Sequence, residues 1–361
     1  MSATQLYKNA AKSAKLAGLR YVSDQQPGIK RRRWGRGFSY IDVDGTRIQD
    51  RKKRSQLKAM AIPPSWKDVW ICVEANGHLR ATGRDLKQRK QYRYHPDWIT
   101  LRNQIKFDRL IPFAEALPTL RQTVQAEITQ ALKHGKKSQP KRSTVIAAVV
   151  DLLDETAIRI GNLQYAEAND SYGLTTLKTR HADISTTSIE LQFVGKSGVE
   201  HDIELKDAQL AKIMKRCEEI PGQTLFQYID EAGHRQAVDS GDVNEYLQAT
   251  MGSAFTAKDF RTWQGTVTAA NYLYQLTQDS AHALDDSDSV RAIEAAAERL
   301  GNRPATCRKY YVHPRVLESY QSQKMVDAIA AHAPKKKQLL KFLDDNEQRT
   351  FAVLKAGELS Q

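Results

Sequence analysis

The pattern of hydrophobic and polar positions changes along the chain from a period of two to a helical period. Between about residues 36 and 100, apolar side chains alternate with polar ones, as in strands that bury one face. Asp44-Gly45 and Asn76-Gly77 interrupt this alternation, and such dipeptides favour tight hairpin turns. This part of the chain is therefore predicted to form antiparallel β structure.

From about residue 105 the apolar positions take helical spacing. In STVIAAVVDLLDETAIRIGN, Val145 and Val149 fall on one stripe, and Ser143 is the expected N-terminal cap. We predict that this helix runs to about Arg159, with Gly161 as its stop signal.

A short β segment interrupts the helices. In TSIELQFVGKSGVEHDIEL, two alternating stretches flank the glycines at 195 and 198, which predicts a β-hairpin inserted among helices. The helical spacing then returns and predicts further helices at about 207–218, 241–250, 257–277, 288–300 and 304–312.

Together these patterns predict an α+β protein with a small antiparallel β-rich N-terminal domain. The larger domain is expected to be mainly α-helical and to carry the inserted β-hairpin. We assign residues 1–35 to a basic N-terminal extension, 36–104 to the β-rich domain, and 105–361 to the helical domain with its helical tail.

Composition excludes several classes of protein. Hydrophobic residues make up 40% of the 361 positions and charged residues 27%, as in ordinary globular proteins. No apolar run approaches the length of a membrane span, and the N-terminus does not resemble a secretory signal. We therefore expect a cytoplasmic location and no membrane partner. Cys72, Cys217 and Cys307 lie far apart, and the chain has no HExxH motif, so neither a disulfide framework nor a metal is expected.

The charge points to a polyanionic partner. Lysine and arginine number 55 against 42 acidic residues, giving a net charge of +13. The excess is clustered in four runs, at 30–33, 51–54, 83–94 and 133–142. One basic run alone is typical of a solvated loop. Four runs, one of them interleaved with aromatic residues, favour nucleic acid.

Two cationic residues have both structural and functional interpretations. Arg159 falls on the predicted last turn of a helix, where a cation offsets the helix dipole, so structure alone could explain it. Lys196 is expected at the tip of the inserted hairpin. The GKS sequence there evokes a phosphate-binding P-loop, but that motif requires an earlier glycine where this chain has Glu190, so this interpretation fails.

The segment TAKDFRTW favours an anion site. Thr256 and Asp259 have the spacing of a helix-capping pair. Lys258 and Arg261 then lie in the opening turns, where cations oppose the helix dipole by about 0.3–1 kcal/mol each. This placement makes sense if an anion binds at that end.

A short helix between Pro304 and Pro314 ends in a tyrosine pair. Successive helical residues point about 100° apart, so Tyr310 and Tyr311 cannot both face one site. Burial of both as core aromatics is the simplest interpretation from the residues alone.

Taken in order, these segments resemble the type IB DNA topoisomerases, specifically the poxvirus-like and bacterial group. The segments ATGRDLKQRKQYRYHP, AIRIGN, FVGKSG, KDFRTW and LGNRPATCRKYYVHP look like the DNA-contacting segment and four catalytic blocks of that family. The resemblance runs from about residue 35 to 315. It implies a catalytic domain related to those of tyrosine recombinases, a reaction that needs no metal or ATP, and a monomer that clamps double-stranded DNA.

The resemblance also implies the roles of individual residues. Tyr311 would be the nucleophile and form a 3′-phosphotyrosyl link, while Tyr310 is expected to pack. Arg159, Arg261 and Asn302 would hold the phosphate oxygens, and poxvirus members have His where this chain has Asn302. Lys196, desolvated among the arginines, would be the general acid. The residues expected to bind DNA are Arg84, Gln91, Tyr92, Tyr94 and Lys258.

Two alternatives stay open. Tyrosine recombinases share this catalytic plan, but they usually show His-x-x-Arg where this chain has Lys258 and Arg261, and their N-terminal domain is typically helical. A DNA-binding protein with an inactive catalytic scaffold would bind DNA in a salt-sensitive way without becoming covalently attached to it.

Overall fold

The computed structural model describes residues 3–133, 139–252 and 255–357. The chain divides into two compact units, Met1–Arg109 and Leu110–Gln361. The observed division thus lies five residues after the boundary expected at 104/105 (109 − 104 = 5). The residues 134–138 of the basic run at 133–142 fall outside the described part of the chain.

The first unit is built on a five-stranded antiparallel sheet with the order β2-β1-β3-β4-β5. Its core is a cluster of apolar side chains that includes Ile29, Tyr40 and Ile71. In chain order its elements are α1 (Ala3–Lys8), α2 (Ala10–Leu16), β1 (Ile29–Trp34), β2 (Gly37–Ile41), α3 (Arg51–Ala59), β3 (Lys67–Ile71), β4 (Leu79–Arg84), β5 (Lys90–Tyr94) and α4 (Pro96–Asp108).

The predicted N-terminal extension is not a separate region. Strand β1 lies within residues 1–35, yet it pairs with both β2 and β3 and buries Ile29. The alternation of β1 is hidden in the sequence because four basic residues follow Ile29. The turn at Asn76-Gly77 does connect β3 and β4, and Asp44-Gly45 forms a tight turn after β2, as predicted.

The second unit is mainly helical, as predicted. Long apolar stripes on α5, α6 and α10 form its core, which includes Phe113, Val149 and Trp263. Its helices are α5 (Leu110–Lys133), α6 (Arg142–Thr156), α7 (Leu163–Asn169), α8 (Ala208–Glu218), α9 (Ser240–Met251), α10 (Ala257–Gln278), α11 (Asp286–Leu300), α12 (Pro304–Tyr310), α13 (Pro314–Gln321), α14 (Met325–His332), α15 (Lys337–Phe342) and α16 (Asp345–Lys355).

The predicted β insertion is present in the second unit. Strands β7 (Ile189–Val194) and β8 (Glu200–Leu205) form the hairpin, and β6 (Ala182–Ile184) extends it to three strands. Burial alternates strictly along β7, as its sequence pattern requires. A second, two-stranded sheet pairs β9 (Gln227–Ile229) with β10 (Arg235–Ala237).

Helix α6 ends earlier than its sequence indicates. Its last residue is Thr156, and Ala157 takes a left-handed conformation with φ of +51°. Arg159 therefore lies in the segment after the helix and not on its last turn, and Ser143 lies in the first turn, after the N-cap at Lys141. The cause is tertiary, because the carbonyl of Ala157 accepts a hydrogen bond from Arg261.

A buried polar network joins four helices of the second unit. The guanidinium of Arg121 on α5 lies 2.6 Å from Asp154 of α6 and 2.7 Å from Glu347 of α16. Glu347 also accepts a 2.8 Å hydrogen bond from the indole of Trp263 on α10. The two carboxylates raise the pKa of Arg121, which burial alone would lower. The network fixes α16 against the helices that lead into the candidate active site.

Candidate active site

Arg159 and Asn302 come from distant parts of the sequence and meet in the second unit. A terminal nitrogen of Arg159 donates a short hydrogen bond to the side-chain oxygen of Asn302. Asn302 follows Gly301, which ends α11 in a left-handed conformation with φ of +57°. This chain reversal turns the Asn302 side chain towards the segment that follows α6.

Arg261 ties the same two segments together from α10. Its side chain is only 4% exposed. One terminal nitrogen donates to the carbonyl of Ala157, and the other donates to the carbonyl of Leu300 at 2.6 Å. Because Ala157 precedes Arg159 and Leu300 precedes Asn302, this one guanidinium fixes the backbone beneath both side chains.

Tyr311 lies beside this cluster at the end of α12. Its backbone N–H bonds the carbonyl of Cys307 at 2.8 Å, and the Arg261 guanidinium carbon lies 5.4 Å from the centre of its ring. Tyr311 is half-buried. Tyr310 was expected to pack, but it is 38% exposed, and the Lys309 ammonium lies 5.3 Å from its ring centre. The helix turns Tyr310 outward because the two side chains point about 100° apart.

The cluster contains buried donors without a strong acceptor in the protein. In the described part of the chain, Arg159 Nη1, Arg261 Nε and Asn302 Nδ2 are buried and have no hydrogen-bond partner. The Asn302 amide faces the thiol of Cys307, which is a weak acceptor. Buried polar groups are nearly always paired in folded proteins. Two cations and an amide with free donors form a site suited to the oxygens of an anion.

Burial makes the positive charges of this cluster costly in the absence of a ligand. Burial is the main cause that lowers the pKa of Arg159. Burial, followed by the charge of Arg159, lowers the pKa of Arg261, and the phenol of Tyr311 acts in the opposite direction. Both guanidinium groups remain charged near neutral pH. A bound phosphodiester would compensate the repulsion between them.

Lys196 is in the predicted place but not in the predicted surroundings. It lies at the tip between β7 and β8, where it is exposed instead of desolvated among arginines. Its ammonium lies 5.8 Å from the ring centre of Tyr165, a residue of α7. The turn depends on glycine at both ends, because a side chain at Gly195 would lie 2.7 Å from the His201 ring and Gly198 has φ of +75°.

His201 belongs to the site and was not predicted. It stacks on Phe193 at 4.7 Å, and a Cβ placed at Gly195 or Gly301 would lie 2.7 Å or 3.1 Å from its ring. The ring therefore fills the space between the Lys196 tip and the turn before Asn302. Burial, then Arg159 and Arg261, lowers the pKa of His201. The only sequence signal for the inward position of His201 is its place in the alternating pattern of β8.

Comparisons with known proteins show the family of this chain. The family model described as "Eukaryotic DNA topoisomerase I, catalytic core" matches residues 88–339, more than half of the chain. The model described as "Bacterial DNA topoisomerase IB, N-terminal domain" matches residues 37–85. The chain is 30% identical over 302 residues to the protein named DNA topoisomerase 1B of Acanthamoeba polyphaga mimivirus, with 82% of this chain and 88% of that protein covered.

The chain belongs to the type IB DNA topoisomerase family. A second relative, DNA topoisomerase 1B of vaccinia virus (strain Copenhagen), is 26% identical over 283 residues, which cover 76% of this chain and 84% of the viral protein. Membership of this family makes the chain an isomerase. The relationship to tyrosine recombinases that we predicted stays a prediction.

The residues of this topoisomerase expected to bind DNA occupy strands β4 and β5 of the first unit and the start of α10 in the second. Tyr92 and Tyr94 on β5 are 47% and 40% exposed, and their rings stack with centres 5.9 Å apart. Gln91 bonds Asp85, and Arg84 donates to the carbonyl of Gln88, so both are held by the loop between β4 and β5. In the second unit, Lys258 is exposed on the first turn of α10, and Thr256 and Asp259 form the predicted capping pair.

Among residues 3–133, 139–252 and 255–357, no group of three or more metal-binding side chains comes together. None of the described helices of the topoisomerase is both long and apolar enough to cross a membrane.

Proposed function

We propose that this protein relaxes supercoiled duplex DNA by cutting one strand transiently, through a 3′-phosphotyrosyl intermediate on Tyr311. The observation that carries the proposal is the position of Tyr311 beside two buried guanidinium groups, each of which has one buried nitrogen without a hydrogen-bond partner, Arg159 Nη1 and Arg261 Nε. Such a cluster matches a phosphodiester in the act of transfer, where negative charge gathers on oxygens beside the attacking group.

In the cleavage step, the Tyr311 hydroxyl releases its proton to solvent, and its oxygen attacks the phosphorus in line. A bond forms between that oxygen and phosphorus, the bond from phosphorus to the 5′ oxygen breaks, and the 3′ side of the strand stays attached to the protein. Arg159 and Arg261 stabilise the non-bridging oxygens with charged, planar donors, and Asn302 adds a neutral donor. Asn302 cannot become cationic, so its part is a hydrogen bond and not a proton transfer.

The departing 5′ oxygen needs a proton, and we assign its delivery to Lys196. In the structure this ammonium is exposed on a projecting hairpin tip, where it can reach a bound duplex. Contact with DNA would then bring it out of water and next to the arginine pair, which favours release of its proton. The stacked His201 ring supports the tip from beneath.

Religation reverses these steps, because the phosphotyrosyl link conserves the energy of the original bond. The free 5′ end swivels between cleavage and religation, and the DNA loses supercoils. The reaction consumes no ATP. The charges that a metal ion would otherwise supply come from Arg159, Arg261 and Lys196, so the proposed chemistry needs no metal.

The whole predicted catalytic set lies in the second unit of a single chain, so we propose that the protein acts as a monomer. The exposed Tyr92 and Tyr94 pair and the basic runs of the first unit would bind the same duplex.

We also propose a cytoplasmic location on chromosomal DNA. The three cysteines are buried and unpaired, which suits a reducing compartment.

The decisive experiment is covalent trapping with a matched pair of variants. Supercoiled plasmid without any recombination site is mixed with the protein, denatured rapidly, and examined for protein linked to a 3′ end. Tyr311→Phe is expected to abolish both the link and relaxation, whereas Tyr310→Phe, which changes an exposed neighbour, is expected to retain both. Loss with Tyr310→Phe alone would assign the nucleophile to the other tyrosine. Relaxation of this plasmid also separates the proposal from a recombinase.

A further inference from the structure

The β1–β2 hairpin forms an arm that projects beyond the sheet of the first unit. Strand β1 pairs with β3 only through Ile29 and Lys30, but its pairing with β2 continues from Lys30 to Trp34. The far half of the hairpin is therefore two strands wide.

The arm is anchored firmly at its base. Arg31 donates to the carbonyls of Ile62, Pro63 and Trp66 at 2.8–2.9 Å. The same guanidinium lies 4.2 Å from the ring centre of Phe38 on β2. At the far end, Gly35 has φ of +55°, a backbone that a tight two-residue hairpin turn requires and that glycine adopts without strain. The arm thus holds its tip in one place without a bound partner.

The tip presents an indole to solvent. Trp34 is 63% exposed, whereas the other four tryptophans are buried or half-buried. The Arg47 guanidinium covers part of the ring, 4.3 Å from its centre. Tryptophan is the side chain that contributes most when an interface covers it, so an uncovered one on an anchored arm marks a contact surface.

The charges around this indole specify the partner. Arg32, Arg33 and Arg36 are exposed, and none of them has an ion-pair partner among the described residues. The nearest acidic side chains in sequence are already engaged, because Asp42 binds Lys53 at 2.7 Å and Asp44 bonds Thr46. Unpaired guanidinium groups around an exposed aromatic ring suit a polyanion that also offers flat, apolar surfaces.

We infer that the tip of the β1–β2 arm binds duplex DNA, with Trp34 against a groove or base step and Arg36 and its neighbours on phosphates. This inference rests on the proposed function for the identity of the partner. It adds a contact surface separate from Tyr92 and Tyr94, which lie on β5 at the opposite edge of the sheet order from β2. The two surfaces let the first unit hold DNA at more than one point.

The test measures binding without cleavage, in protein that already carries Tyr311→Phe. Affinity for a duplex oligonucleotide is determined at several salt concentrations for Trp34→Ala, Arg36→Ala and a control, Leu16→Ala, which alters another exposed apolar residue of the same unit (60% exposed). Trp34→Ala is expected to weaken binding about tenfold with an unchanged salt slope. Arg36→Ala is expected to reduce the slope by about 0.9. Leu16→Ala is expected to change neither.

Heparin provides a second probe, since it is a polyanion without bases. Trp34→Ala is expected to leave heparin affinity unchanged. Equal DNA affinity for Trp34→Ala and its parent, or equal losses for heparin and DNA, would overturn the inference. These outcomes are independent of the catalytic proposal, which fails instead when wild-type protein binds DNA but Tyr311 never becomes linked to it.

Discussion

Gly265 and the backbone of Tyr311 are in direct contact. A Cβ atom at Gly265 would lie 2.9 Å from the carbonyl oxygen of Tyr311 and 3.3 Å from its Cβ. The next residue on α10, Thr266, extends the contact, because its hydroxyl accepts a hydrogen bond from the N–H of His313 at 3.2 Å. Helix α10, which supplies Arg261, therefore also fixes the position of the Tyr311 backbone.

We expect Gly265→Ala to lower the rate of covalent adduct formation by at least about tenfold, because a displacement of about 1 Å in an active site can cost 10²-fold in rate. The added methyl must push Tyr311 away from α10, since carbonyl oxygen and Cβ atoms cannot approach to 2.9 Å. Single-turnover trapping measures this rate. Gln275→Ala, an exposed change on the same helix, serves as the control. Wild-type kinetics in Gly265→Ala would show that the tyrosine does not depend on this contact.

Asn302 offers a test of charge in the phosphate site. Asn302→Ala removes one donor, for which losses of about 10²-fold are typical of preorganised transition-state contacts. Asn302→Asp keeps the shape but neutralises Arg159 and repels the phosphate, so its loss is expected to be larger. Cleavage rates at saturating DNA compare the two variants. An aspartate variant more active than the alanine variant would exclude a phosphate contact at this position.

The burial of His201 predicts that the free energy of unfolding depends on pH. Its pKa is lowered in the folded state, so below the ordinary histidine value of about 6.5 the unfolded chain binds more protons, and the free energy of unfolding falls as pH decreases. Above that value this contribution is constant. His201→Phe should retain the ring stacked on Phe193 and remove the part of the pH dependence that comes from His201. Urea unfolding at pH 5 and 7.5 should therefore show a smaller acid loss in the variant. Some loss should remain, because the pKa values of His78 and His181 are also lowered by burial.

The Arg121 network predicts a strong effect of a substitution at Glu347 on stability. Glu347→Gln removes one of the two charges that compensate a buried guanidinium, and we expect a loss of about 3 kcal/mol in the free energy of unfolding. Glu218→Gln breaks the more exposed pair with Lys215 and is expected to cost less than about 1 kcal/mol. Chemical denaturation monitors both. Equal losses in the two variants would contradict the structural role of the network.

Local patterns predicted most of the elements, because helical spacing and strand alternation report burial directly. The starts of α8 and α10 and the β7–β8 hairpin are examples. The end of α6 could not be predicted, since the carbonyl that stops it is bonded by Arg261, about a hundred residues away. Strand β1 was missed because its side chains are mostly basic.

The candidate catalytic residues were predicted from a resemblance to a family, and the structure brings four of the five together. Arg159, Arg261, Asn302 and Tyr311 are linked by contacts that sequence separation conceals. Lys196 lies at the hairpin tip as predicted, and its desolvation among the arginines stays a prediction that involves bound DNA. His201 has no motif of its own, and only the packing of its ring between Gly195 and Gly301 reveals it.

The contacts of α16 have a consequence for folding of the enzyme during its synthesis on the ribosome. Arg121 leaves the ribosome 226 residues ahead of its partner Glu347. Arg315, four residues after Tyr311, likewise waits for the carbonyls of Leu354 and Gly357. A nascent chain that has already exposed Tyr311 therefore still lacks the contacts that complete its catalytic unit. A premature stop codon between Arg315 and Glu347 would leave every predicted catalytic side chain encoded and the supporting structure missing.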